Sequence, residues 1–234
     1  MLLGLGGAKL IDELNFNPEV YHLNEAHGVS AVFHLMKKFG SKEEVTKRVV
    51  FTTHTPEEAG NEQHDIFLCE RMGYFNGYSI PDVKKLTGMR GELFNHSLAA
   101  LRFARKANGV SKLHGEVSRE MWKDYENIPE ISHVTNSQNF SYWSDKQLYR
   151  FMEAADVEKF EDRKRYLKKR AFEIVADQTG KLLDPDVLTI VWARRFASYK
   201  RPDLLTRDFE RFEKLMRDTN RPIQIIWAGK PYPM

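Results

Sequence analysis

Apolar and polar positions alternate along this chain as short β-rich runs, most of them followed by a one-sided helical stretch. Val20 to Leu23 predicts a first strand. Ala26 to Phe39 then carries Val29, Val32, Phe33 and Met36 on one side of a helix that Gly40 ends. Val49 to Thr53 is a second strand, with His54 where it ends, Pro56 blocking extension, and Glu57, Glu58, Gly60 and Asn61 in the loop beyond. Ile66 to Met72 predicts a helix, Gly73 to Ser79 a turn region, and Pro81 to Leu86 a further ordered piece. Gly91 to Lys106 predicts a long helix with Leu93, Phe94, Leu98, Leu101 and Phe103 largely on one side, stopped by Asn108-Gly109. Ser111 caps the helix expected over Lys112 to Tyr125.

The stretch Ile131 to Trp143 predicts a third strand ending in polar residues, after which Ser144 and Gln147 fit a capping box. The helix opened there runs, with one break around Asp156, to Gln178. Its acidic and basic residues are interleaved around a narrow apolar stripe, which suits a bridging helix and not a nucleic-acid arm. Gly180 ends it, and Leu183-Asp184-Pro185 is the expected domain boundary, dividing residues 1–184 from 185–234. Val187 to Ala193 predicts a buried strand, with Arg194, Arg195, Lys200 and Arg201 directly after it. Pro202 is tolerated in a first helical turn, so a helix from near Ser198 would add free N–H groups to those cations and make an anion site. A solvated basic loop beside Asp203 and Asp208 explains the same spacing. The stretch from Arg207 to Arg217 is helical, and Ile223 to Trp227 predicts a second buried strand ending at Gly229-Lys230.

Composition narrows the classes. The 234 residues suit one large α/β domain, or one domain and part of another. With 36 basic and 33 acidic residues the net charge is +3, so bulk charge selects neither nucleic acid nor an anionic membrane, and any basic site is local. Cys69 is the only cysteine, which rules out an intramolecular disulfide and fits a reducing compartment. The opening MLLGLGGAKLIDEL lacks the basic flank and apolar length of a signal peptide, and no run reaches the ~20 apolar residues of a membrane span, so the expectation is a soluble, cytoplasmic protein. Gly4, Gly6 and Gly7 lack the third glycine and the preceding strand of a dinucleotide fingerprint; close helix packing explains them at least as well.

Polar residues gather where strands end. Asn24, Glu25 and His27 follow the first strand, and His54 follows the second. In open parallel sheets ligands bind outside the carboxyl ends of the strands, although Asn24 would serve equally well as a helix cap. His54, His64 and Asp65 match no helical metal-ligand spacing, so no metal is expected, and an imidazole hydrogen-bonded to a polar substrate fits better. Asn108 is either a C-cap or an amide presented to a cleft.

Six stretches, in order, resemble the central motifs of α-glucan (glycogen and maltodextrin) phosphorylases of the shorter bacterial and archaeal type. They are HLNEAH (22–27), FTTHTPEEAG (51–60), ANGVSKLHGEVSR (107–119), HVTNSQN (133–139), RRFASYKR (194–201) and IWAGKPYP (226–233). The resemblance implies two facing Rossmann-like domains, the GT-B glycosyltransferase architecture, incomplete in this chain. It implies phosphorolysis of α-1,4-glucan or maltodextrin by inorganic phosphate to glucose 1-phosphate, with pyridoxal phosphate as cofactor and a homodimer left open. On this reading His54 resembles the histidine that hydrogen-bonds the glucosyl ring, Asn108 an asparagine reading a sugar hydroxyl, and Asn24, Glu25 and His27 a loop lining the same cleft. Arg195 and Lys200 resemble the pair holding the substrate phosphate beside the cofactor phosphate. Asn136 stands in the substrate-binding loop, where the usual T-N-G-V-H reads Thr135-Asn136-Ser137-Gln138-Asn139. The cofactor lysine is expected beyond residue 234, Lys230 not being in its motif, and residues 1–234 alone are expected to be inactive or nearly so. A nucleotide-sugar glycogen synthase shares the R-x-x-x-x-K pair, and a noncatalytic glucan-binding fragment is the other alternative.

Overall fold

The computed structural model describes residues 1–55 and 57–231; Pro56 and residues 232–234 lie outside the described residues. The chain divides into two compact units, residues 1–137 and 138–234. In the first, α1 (Gly7–Glu13) precedes β1 (Tyr21–Asn24), α2 (Ala31–Phe39), α3 (Lys42–Thr46) and β2 (Val49–Thr52). There follow β3 (Gln63–Asp65), α4 (Ile66–Arg71), α5 (Ile80–Thr87), β4 (Leu93–Asn95), α6 (His96–Phe103), β5 (Lys106–Gly109), α7 (Lys112–Met121) and β6 (Ile131–His133). β1, β2, β5 and β6 form one parallel sheet in that order, while β3 and β4 pair antiparallel apart from it. Mixed α/β structure with a parallel, Rossmann-like sheet is therefore present.

The core forms because the one-sided residues of α2 and α6 close on the sheet. Phe33 is fully buried, and its ring lies 5.1 Å from that of Phe75 and 6.3 Å from those of Phe94 and Phe103, in edge-on or tilted contacts. Gly40 ends α2 at φ 82°, as its glycine predicts. At Gly4 a β-carbon would come within 2.4 Å of the Gly28 carbonyl and of Ser30 Oγ, so close packing accounts for that glycine.

Three expectations in this unit are corrected. The helix expected from Gly91 begins only at His96, because Leu93–Asn95 pairs with β3 and Asn95 accepts the Leu98 N–H as the N-cap. Asn108-Gly109 does not stop that helix: it closes β5, an inner strand of the sheet. Nothing in Lys-Ala-Asn-Gly favours a strand locally; pairing with β2 and β6 on either side imposes it. The third strand is also short, ending at His133.

The second unit comprises α8 (Phe140–Trp143), α9 (Lys146–Glu153), α10 (Val157–Thr179), β7 (Leu188–Ala193), α11 (Phe209–Met216) and β8 (Ile223–Ala228). Asp145, not Ser144, caps α9, accepting the N–H groups of Gln147 and Leu148 at 3.0 Å. Asp156 caps α10 where a break was expected, and Gly180 ends it at φ 69°. Lys168 donates to the Val187 carbonyl and Arg165 pairs with Asp186, ties that group α10 with β7, whereas the sequence assigns these helices to the first domain. β7 and β8 pair in parallel through six residues each. The expectation that they are buried is corrected: Leu188 is 64% and Val191 57% exposed, since among the described residues each strand has only the other as neighbour.

Candidate functional site

In the first unit the polar residues collect at the carboxyl ends of the parallel strands. Register sets Asn24 beside Thr52 and Thr52 beside Asn108, so three polar side chains stand in one row across β1, β2 and β5. Thr52 Oγ1 donates its single proton to Asn108 Oδ1 at 3.0 Å and so accepts from His22 Nε2 at 2.8 Å, which fixes that imidazole's tautomer. The Asn108 amide also donates to the Gly109 carbonyl at 3.1 Å. One N–H and one lone pair of that amide remain for a ligand.

Glu25 turns the chain away from β1 at φ 63°, ψ 172°, a conformation costly for a side-chain-bearing residue. Its N–H donates to the Thr52 carbonyl at 2.9 Å, and its carboxylate accepts from the His54 backbone N–H and from Thr55 Oγ1. The loop carrying His54 is thereby pinned to the end of β1 while the imidazole stays exposed. His114 secures the other side. The Val110 N–H donates to its Nδ1, so its Nε2 carries the proton given to the Thr55 carbonyl, both at 3.1 Å. Asn136 is exposed, its N–H bonded to the Val110 carbonyl at 3.0 Å.

The structure thus brings together Asn24, Glu25, His54 and Asn108, with Asn136 on the loop after β6. His27 is not joined to them by a hydrogen bond; its Nδ1 lies 3.6 Å from Glu62. Sequence reading missed His22, Thr52 and His114 as positioning residues. The available signal for His114 was its place four residues after Val110, one helical turn into α7.

In the second unit, Arg195 Nη2 lies 3.4 Å from the Tyr199 hydroxyl, and Lys200 Nζ stands 4.6 Å from the centroid of the same ring. Both cations gather on Tyr199. The helix expected near Ser198 is corrected: Ser198–Lys200 is a single 3-10 turn, Arg201 is left-handed at φ 53°, and regular helix begins only at Phe209. Pro202 is the reason, since it disfavours helical geometry in the residue before it. The cluster therefore rests on side-chain charge and not on a helix terminus. Gly229 supports it, because a β-carbon there would collide with the Arg194 carbonyl, and Phe196 N–H donates to the Lys230 carbonyl at 3.0 Å. Such a pair, an exposed guanidinium and a half-exposed ammonium, fits a phosphoryl group, cofactor phosphate included.

No protein-family profile matches the chain. Among curated proteins, a glycogen phosphorylase of Aquifex aeolicus is 34% identical and a maltodextrin phosphorylase of Thermococcus litoralis 30% identical, each alignment covering 100% of this chain. Over its whole length the chain is similar to these named glycogen and maltodextrin phosphorylases. It spans 42% and 34% of the length of those two phosphorylases. It spans 44% of an uncharacterized protein of Methanocaldococcus jannaschii, to which it is 43% identical over 233 residues. Against the Aquifex phosphorylase the alignment runs over 291 positions, more than the 234 residues here, so the phosphorylase carries additional residues within the shared region. Among the described residues, no helix is long and apolar enough to cross a membrane.

Proposed function

We propose that this chain supplies the glucosyl-binding strand ends and the phosphate-gathering cations of an α-glucan phosphorylase with GT-B architecture. The observation that carries the reading is the row Asn24–Thr52–Asn108, with the Glu25-pinned His54 loop beside it, in a homologue of named phosphorylases. In this reading Asn108 presents its free amide N–H and lone pair to a sugar hydroxyl, and His54 hydrogen-bonds the glucosyl ring. Asn24 and Asn136 line the same cleft, and Glu25 fixes the loop without itself moving a proton. His27 lies toward Glu62, its Nδ1 3.6 Å from that carboxylate, and would reach a bound glucan only from the edge of the site.

Arg195 and Lys200 hold the substrate phosphate beside the phosphate of pyridoxal phosphate, whose role when bound is acid/base chemistry through its phosphate. Two phosphoryl groups in a water-poor cleft repel one another, and a fork-shaped guanidinium with an ammonium offsets that repulsion. Removing either cation is expected to lower phosphorolysis by about 10²- to 10³-fold, the scale for losing one preorganised charge contact. The test is glucose 1-phosphate release from maltodextrin by a whole phosphorylase containing this chain, wild type against Arg195→Ala, Lys200→Ala and Asn108→Ala. Equal rates in all four would refute the assigned roles. Absence of a pyridoxal absorbance in that protein would instead point to a nucleotide-sugar glycosyltransferase.

A further inference from the structure

A second polar cavity lies in the first unit, away from the strand-end site. It has a volume of about 660 Å³, within the range of small-molecule sites, and is lined by Lys42, Lys84, Lys85, Arg90 and Arg102, with Asp124, Tyr125 and Glu126 among the remaining wall. Lys42 begins α3, which runs into the start of β2; Arg102 lies in the last turn of α6, which runs into the start of β5. The cavity is therefore at the amino ends of the strands, the opposite edge of the sheet from Asn24 and Asn108.

Five cations face two carboxylates there. Among the described residues, the Lys and Arg ion pairs of this unit engage Lys38, Lys47, Arg48 and Lys123, and none of the five. Lys42 Nζ donates to the Leu86 carbonyl at 2.7 Å and stands 5.3 Å from the Phe103 ring centroid. Arg102 donates to the carbonyls of Thr87 and Glu126. Neutral carbonyls orient the two cations without cancelling them. Burial, and then the Arg102 charge beside it, push the Lys42 ammonium below its usual value; burial does the same to Arg102. Holding like charges together in a half-buried cavity costs free energy that an entering anion recovers. Tyr125, tilted against Trp122 with centroids 5.0 Å apart, adds an aromatic wall for the body that carries the anion.

The geometry points to a binding site for a small molecule bearing a phosphoryl or pyrophosphoryl group, held by Lys42 and Arg102 with Lys84, Lys85 and Arg90 at the rim. All of its lining residues belong to the first unit, and Arg195 and Lys200 are not among them. Isothermal titration of the 234-residue chain with pyrophosphate, and separately with inorganic phosphate, tests it. Each titration is run on the natural chain and on Arg195→Gln/Lys200→Gln, against sodium chloride at equal ionic strength. Saturable binding is expected in both backgrounds. Lys42→Gln, or the exposed pair Lys85→Gln/Arg90→Gln, should raise Kd by at least about tenfold, the loss of one charge-assisted contact. Heat that the chloride control reproduces would overturn the site. So would binding in the Arg195→Gln/Lys200→Gln background that survives both sets of cavity changes, or the absence of binding in that background. The exposed pair keeps the test decisive should Lys42→Gln fail to fold.

Discussion

Glu25 carries two opposed terms whose sizes can be worked from the structure. Its backbone sits at φ 63°, ψ 172°, a region nearly reserved for glycine, at a cost of about 1–3 kcal/mol. Against that, its carboxylate accepts two hydrogen bonds, from the His54 N–H and the Thr55 hydroxyl, each worth roughly 1–2 kcal/mol for a charged acceptor in a half-buried position. Glu25→Ala removes the acceptor and keeps the strain, so it should destabilise the first unit by about 2–3 kcal/mol. Glu25→Gly removes both, and should lie within about 1 kcal/mol of the natural chain. The assay is amide exchange of peptides covering β1 and β2 along a urea series, which reads the first unit alone. Maltodextrin affinity is measured in parallel and should fall in both variants, because the His54 loop is released. Equal stability of the Ala and Gly variants would refute the strain, and undiminished maltodextrin affinity would refute the pinning.

Burial pushes the His96 imidazole down to about 4, between the Tyr74 hydroxyl at 2.8 Å and His64 at 3.0 Å. The unfolded chain gains its proton near pH 6.5 and the folded chain only near 4, so stability falls by about 3 kcal/mol as pH drops across that window. In His96→Gln the urea midpoint of the first unit should lose this dependence; an unchanged slope contradicts it. The Arg163 guanidinium holds the Asp145 carboxyl down to about 2, so its contribution to α9–α10 packing is present above pH 4 and lost as pH falls through 2. Acid unfolding of the second unit, followed by Trp143 fluorescence, should start at higher pH in Arg163→Gln. Gly229→Ala forces the chain away from the Arg194 carbonyl, at a cost of about 1–3 kcal/mol. It should also weaken inorganic phosphate binding at Arg195 and Lys200, and a variant with wild-type phosphate affinity would refute the coupling.

What the sequence made legible was whatever its local chemistry decides. β1, α2 and β2 follow from periodicity that the core enforces, with Phe33, Val49 and Phe51 almost fully buried where the pattern puts them. Gly40, Ser111 and Gly180 mark element ends for reasons internal to each residue. β5 was illegible for the opposite reason. Lys106 to Gly109 owes its strand to neighbours some fifty residues earlier and twenty-five later, Thr52 bonding to Asn108 and Ser132 donating to the Ala107 carbonyl. The candidate site divides along the same line. Motif resemblance pointed to Asn108 and His54, but not to the pins that aim them: Glu25 reaches across 29 residues to His54, and His114 across 59 to Thr55. Those long-range bonds are made only once β1, β2 and β5 are in register, so the site cannot form before the sheet does. The cations near Arg195 show the limit from the other side. Their identities were readable, yet a single proline at 202 replaced the expected helix with a left-handed Arg201, and the site is one of side-chain charge alone.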